Sequence, residues 1–295
     1  MKRIRSKYSK TESIAALIFL LPNLLGFLAL TAIPVVVSFG LSFFEWRLLD
    51  TPTFAGLGNF ARILMDDVFL KSLGNTAYFV FAKVPLSTVL ALVVAVFLNR
   101  RIAGRNFMRT ILFLPVVCSS VAAAMIWLPL LETESGLVNK ALELVGMAPV
   151  PWISSTRWAM PSVIMVAVWK EIGYFMVIFL AGLQGIPVSY YEAARIDGAS
   201  AFQEFRHITL PLISPTTFFV VVTSVIGSFQ IFDLTSVLTQ GGPANATNTV
   251  VMYIYQSGFQ SFRMGYASSL AYALFAVIFV FTIAQNVLSK RWVHQ

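Results

Sequence analysis

Apolar positions in this chain come in long blocks rather than in stripes. Six runs, at 14–44, 76–98, 110–131, 159–183, 214–238 and 264–288, are separated by polar stretches. A hydrocarbon core of about 30 Å needs about 20 helical residues, so each run predicts one membrane-crossing helix. The first run is long for a single crossing, which implies tilt, a bend at Pro34 or an end that protrudes. Pro85, Pro115, Pro129, Pro161 and Pro215 interrupt the others. In lipid these read as ordinary kinks, because neighbours and local adjustments satisfy the freed carbonyls.

Composition agrees with lipid as the solvent. The chain is 58% hydrophobic and 12% charged, with a mean hydropathy of +0.79. Soluble domains are about 45–50% apolar and about a quarter charged. The expected fold class is therefore all-α integral membrane, with six transmembrane helices. The net charge of +8 does not point to nucleic acid, since the basic residues form no stripe with interleaved aromatics. They sit at the ends of the apolar runs. Thirteen lie on one side, from Lys2 through Arg100, Arg109, Arg195 and Arg206 to Arg291; six lie on the other, at Arg47, Arg62, Lys71, Lys140, Arg157 and Arg263. By the positive-inside rule both termini are cytoplasmic. The basic start before an apolar run also suits a cleaved leader, but the run is too long and lacks a small-residue cleavage site. The organisation expected is a cytoplasmic tail over 1–13, a transmembrane domain over 14–290 and a second tail over 291–295. The single cysteine, Cys118, excludes an internal disulfide and reads as a small buried hydrophobe.

The cytoplasmic loop at 185–212 carries the densest local signal. Ser189 and Glu192 have capping-box spacing, and a short helix should follow through Ile196, ended by Gly198 in the left-handed region. Ser200 and Gln203 repeat the box and start a second helix. Leu210, preceding Pro211, should leave the helical region and turn the chain back into the membrane. The outcome is a helix-turn-helix with apolar side chains at Tyr191, Ala194, Ile196, Phe202, Phe205 and Ile208. Either the chain's own bundle or a docking partner must cover them.

The run Glu192-Ala193-Ala194, followed by Asp197-Gly198-Ala199 and then Leu210-Pro211, resembles the signature loop of ABC-importer permeases. Trp169-Lys170, the stretch 180–187, Phe54–Asn59, Leu73–Thr76, Phe229–Asp233 and Leu238–Pro243 resemble the carbohydrate, maltose-transporter-like branch in its six-helix form. No large outward insertion is present. The resemblance covers nearly everything from Phe54 onward and implies the type I importer permease fold. It implies that the loop at 189–211 couples to two cytoplasmic ABC ATPase subunits. It also implies a second permease subunit, a heterodimer being expected, an extracytoplasmic solute-binding protein and a bacterial plasma membrane. ATP and Mg²⁺ would be bound by the ATPases, leaving this chain without a cofactor. The solute would be a sugar, an oligosaccharide or a glycerol phosphate.

Ionisable groups at mid-membrane cost roughly 2.5–3.5 kcal/mol each on insertion scales, which marks them for function. Lys170 and Glu171 are adjacent in the fourth helix and point about 100° apart. Glu171 and Tyr174, three residues apart, read as one pathway-lining face, with Trp169 offering an aromatic surface to sugar rings. Ser228, Gln230 and Asp233 complete the pathway candidates. Lys83 and Asp233 fall at a similar depth, about 9–11 Å below the outer boundary. They form a candidate pair; the alternative has Lys83 snorkelling outward and Asp233 facing the pathway alone.

Several chemistries are excluded. The sequence has no P-loop run, no zinc-protease helix and no Gly-x-Ser-x-Gly elbow, so no catalytic or metal residue is expected. An ion-gradient-driven transporter using Glu171 or Asp233 is the alternative function, although the internal repeats usual in such folds are missing. The match of Asn245-Ala246-Thr247 to a glycosylation sequon is read as chance.

Overall fold

The computed structural model describes residues 10–100 and 102–290; the tail expected over 291–295 lies outside them, as do residues 1–9 of the other, whose residues 10–13 already belong to the first helix. The first span consists of α1 (Lys10–Phe27), a π turn at Leu28–Ala32 and α2 (Ile33–Leu41). Pro34 explains the turn. Its ring cannot sit over the carbonyl of Leu30 and it has no N–H to donate. The helix widens by one residue just before it, and the Ile33 N–H bonds the Leu28 carbonyl. This span is unburied over its apolar window, as suits a helix facing lipid. Beyond it come a two-stranded ribbon, β1 (Phe44–Glu45) and β2 (Thr53–Phe54), and α3 (Gly58–Ile63).

The second span is longer than its apolar run. Helix α4 covers Asp67–Asn99, because Asp66 caps it by accepting from the N–H groups of Val68 and Phe69. It therefore starts nine residues before the expected point. The third span is not one helix. It breaks into α5 (Arg105–Val117) and α6 (Ser120–Leu130), bent by 100°. The break is a fresh helix start rather than a proline kink: Ser119 is extended and its hydroxyl accepts from the Ala122 N–H. Cys118, expected to be buried, sits half-exposed at this corner. A short outward helix, α7 (Leu137–Leu144), leads to α8 (Ala159–Gln184), the best-buried span.

Next come α9 (Val188–Ile196), α10 (Ala201–Glu204), a π turn at Phe205–Thr209 and α11 (Leu210–Leu212). Leu210 stays helical (φ −61°, ψ −44°), contrary to expectation. The π turn absorbs Pro211 just as the earlier one absorbs Pro34, with the Leu210 N–H bonding the Phe205 carbonyl. The chain turns later, by 63° at Ile213, into α12 (Ser214–Phe229). The fifth span then breaks at 230–232, and α13 (Asp233–Leu238) resumes it. Helix α14 (Val250–Tyr255) and α15 (Met264–Ser289) complete the fold. Four spans are unbroken and two are bent pairs, giving six if each pair crosses once.

Helices α4 and α8 form the axis. At the end bearing Arg100, they pack on α12 through Ala91, Ala95, Phe175, Phe179 and Val220. At the other end, α6, α8 and α13 pack around Phe79, Ala124, Val163 and Leu234. Helix α5 crosses α8 at Gly173, where an added Cβ would lie 2.1 Å from the Leu112 carbonyl oxygen. Only a glycine permits that approach.

Candidate functional site

The two broken spans meet. A cavity of about 260 Å³ is lined by Ser120 at the start of α6, by Ser228, Gln230 and Asp233 around the break between α12 and α13, and by Phe79, Lys83, Lys170 and Glu171 from α4 and α8. Non-helical backbone at membrane depth leaves polar groups without helical partners, and it persists where it lines a polar cavity. Interrupted helices thus mark the solute site of many transporters. Here both interruptions open onto the same space.

Lys83 does not pair with Asp233, and it does not snorkel. Its ammonium donates to the Glu171 carboxylate, to Ser224 Oγ at 3.2 Å and to Ser228 Oγ at 3.2 Å. It is only 1% exposed. Its Nζ also lies 5.7 Å from the centre of the Phe175 ring. The depth estimate failed because it counted from Thr76. Counted from Asp67, Lys83 is about 24 Å along α4, nearer the level of Glu171, about 18 Å along α8. Ser224 and Ser228, four apart on α12, present their hydroxyls on one face and complete the ammonium's shell. That spacing was the overlooked signal.

Of the sequence candidates, Glu171, Ser228, Gln230 and Asp233 line the cavity, whereas Trp169 and Tyr174 do not. Trp169 is two residues from Glu171, about 200° around the helix, and packs edge-on against Trp127 with ring centres 5.5 Å apart. Tyr174 is turned about 60° from Glu171 and stays exposed beside Phe175. Sequence reasoning missed Phe79 and Ser120 as lining residues.

The second candidate region is the ledge made by α9, α10 and α11. The first capping box does not form: α9 starts two residues early, behind Pro187 rather than Ser189, and no side chain caps it. Its other end forms as expected. Gly198 has φ +77°, the Gly198 N–H bonds the Arg195 carbonyl, and the Ala199 N–H bonds the Ala194 carbonyl. These two bonds are the Schellman pattern. The Ser200–Gln203 box is complete. Arg195 donates from Nε to Glu204 Oε1 at 2.8 Å and from Nη2 to Oε2 at 3.4 Å, stapling α9 to α10. That hydrogen bonding, with the carboxylate's charge, raises the guanidinium pKa above its ordinary value. Tyr191 and Ile208 pack on the bundle's own core, and the Tyr191 hydroxyl meets Thr209 Oγ1 at 3.0 Å. Ile196 and Phe202 stay exposed, at 86% and 68%. The apolar face is thus divided between the bundle and the outside.

At the opposite end a clasp joins two of the sequence motifs. Asn75 Nδ2 donates to the carbonyls of Asn245 and Asn248, and the Val250 N–H donates to Thr76 Oγ1. Thr247 of the chance sequon is fully buried there. Nearby, Asp66 Oδ2 accepts from the hydroxyls of both Tyr253 and Tyr266, at 2.6 Å each. Burial alone would raise the Asp66 carboxyl's pKa, but those two hydroxyls and the Phe69 and Val68 amides together hold it below its ordinary value. Tyr253 is pushed up to about 12, first by burial and then by its bond to Asp66.

Residues 87–294 match the family described as the binding-protein-dependent transport system inner membrane component. The chain belongs to that family. The probable ABC transporter permease protein YesP of Bacillus subtilis is 36% identical over all of this permease and 96% of its own length. The arabinooligosaccharides transport system permease protein AraP of Halalkalibacterium halodurans is 34% identical, across 94% of this chain and 88% of its own. A chain from the crystal structure of a bacterial ABC transporter involved in the import of the acidic polysaccharide alginate superposes with a TM-score of 0.84. It is 25% identical and is covered over 96% of its length by 95% of this permease. The type I importer permease fold follows, and the ion-gradient alternative finds no support.

Proposed function

We propose that this permease lines the pathway of an ATP-driven bacterial importer of sugars or oligosaccharides. It pairs with a second, non-identical permease and receives solute from an extracytoplasmic binding protein. Its ledge couples to two cytoplasmic ATPase subunits, which hold ATP and Mg²⁺, and the chain itself does no covalent chemistry. Both termini lie in the cytoplasm. The sugar class is supported by the oligosaccharide and polysaccharide named for its relatives. The cavity's chemistry suits it, since Gln230, Ser228, Ser120 and the carboxylates offer hydrogen bonds to hydroxyl groups.

The observation that carries the reading is the ledge. Its rigid turn at Gly198, with Ile196 and Phe202 left uncovered, stands among Glu192, Ala193, Ala194, Asp197 and Ala199, ahead of Leu210 and Pro211. Gly198→Val forces a β-branched residue to φ +77°, a strain of about 1–3 kcal/mol, in a spot where no neighbour lies within 4 Å. Glu192→Lys reverses an exposed charge on the same surface. Both variants should reach the membrane in normal amounts. Both should lose co-purifying ATPase and solute-stimulated hydrolysis in the assembled transporter. Normal transport by both would reduce the ledge to a connector.

A further inference from the structure

The charges around the cavity balance: Lys83 and Lys170 against Glu171 and Asp233. Within that balance Lys83 has a particular arrangement. An ammonium has three N–H donors, and all three have partners in Glu171, Ser224 and Ser228. No donor remains for a solute. Glu171 uses only Oε2 for Lys83; Oε1 accepts no hydrogen bond from the described residues, and the side chain is 36% exposed and lines the cavity. Lys83 therefore fixes a carboxylate with one oxygen held and one open. That open oxygen can accept from a hydroxyl and repels a second carboxylate.

We propose that Lys83 is a positioning residue that sets solute specificity: by binding Oε2 of Glu171 where that side chain lines the cavity, it leaves Oε1 to the solute and selects uncharged, hydroxyl-rich saccharides over carboxylated ones. The inference rests on the reading of this cavity as the solute pathway. Lys83 does not touch the solute; Glu171 does. Neutralising Glu171 then has a consequence that packing alone would not produce. In Glu171→Gln the amide oxygen still accepts from Lys83, but the cavity carries one uncompensated positive charge in a partly desolvated site. A carboxylated solute should gain and a neutral one should not.

The test is equilibrium binding to the assembled, detergent-solubilised transporter without its binding protein, which removes that protein's own selectivity. The probes are two trisaccharides, neutral maltotriose and carboxylated trigalacturonate. In the unaltered transporter maltotriose should bind more tightly. In Glu171→Gln the affinity ratio should move toward trigalacturonate by at least about tenfold. In Glu171→Gln with Lys83→Met, which removes both charges, the ratio should return most of the way. A purely structural role would weaken both probes together in Glu171→Gln. That outcome, an unmoved ratio, no trigalacturonate binding to Glu171→Gln, or a shift that survives Lys83→Met would each overturn the proposal. The pathway reading fails differently: blocking the cavity with Ser120→Trp would leave uptake by the complete transporter intact.

Discussion

The ion pair Lys83–Glu171 and the ion pair Arg195–Glu204 use one kind of chemistry in opposite surroundings. The first joins α4 to α8 inside the membrane, with its cation 1% exposed and two serine hydroxyls completing its shell. The second staples α9 to α10 in water, with its guanidinium 65% exposed. Water would solvate Arg195 almost equally well without its partner, and exposed pairs usually contribute little. Lys83 has no such recourse, because losing its partner leaves a charge stranded in a medium that cannot solvate it. A contact map draws these pairs alike, yet the inner one is a constraint the fold must satisfy and the outer one a local convenience.

The largest test of that contrast is Glu171→Leu. It strands Lys83 with only two hydroxyls, and breaking a buried pair from one side costs about 3–5 kcal/mol. Thermal melting of the purified permease should fall by several degrees, or the assembled fraction should collapse. The double change Lys83→Met with Glu171→Leu replaces the pair by apolar groups of similar size, and such replacements are often neutral. It should melt closer to the unaltered protein than Glu171→Leu does. If the two substitutions simply add, the pair is not the self-contained unit described here.

Asp66 sharpens the comparison from between these extremes. It is half-buried at the outer end, has no cation bonded to it among the described residues, and is stabilised by two tyrosine hydroxyls and two backbone amides. Its carboxyl is held below the ordinary value of 3.8, so the folded state favours the ionised form more than the unfolded chain does. The resulting stability is fully present above that ordinary value and is lost as pH falls through the lower, folded one. Melting midpoints measured from pH 6 down to pH 3 should therefore drop less steeply for Asp66→Asn than for the unaltered protein. Asp66→Ala, which removes the cap of α4 outright, should cost about 1 kcal/mol at neutral pH. Parallel acid curves for Asp66→Asn and the unaltered chain would assign the acid loss elsewhere.

Much of this architecture is legible in the residues, and the failures have a common cause. Span number, the α8 and α15 boundaries, the Gly198 turn and the Ser200 box follow from local rules: an apolar run of membrane length, a glycine at φ > 0, a hydroxyl three residues before an amide. Helix breaks inside apolar runs were not legible. Nothing in hydropathy distinguishes Ser119, which starts a helix, from Ser228, which sits inside one and donates back to the Ser224 carbonyl. The residues 230–232 are as apolar as their neighbours but line a cavity. Pairing failed for the same reason. Lys83, Glu171 and Asp233 were all recognised as costly in lipid, but which two meet depends on where α4 starts and where α12 stops. Both are set by capping and tertiary contact rather than by composition. The ledge's first capping box shows the reverse error: a correct local pattern, overridden when the helix starts two residues early, behind Pro187.

The smallest expected effect belongs to Arg195→Ala. The substitution removes both hydrogen bonds to Glu204, whose side chain is 13% exposed, yet the Schellman turn and the Ser200 box still fix the angle between α9 and α10. The melting midpoint should change little, in low salt or high, because an exposed guanidinium gains little from a carboxylate beyond what water already supplies. What should change is local. Amide exchange in α10, four residues long and held to α9 by the staple, should quicken, while exchange in α8 and α12 stays as it was. A melting loss comparable to that of Glu171→Leu would erase the distinction between the two pairs. It would mean that the ledge is part of the cooperative core rather than a surface device mounted on it.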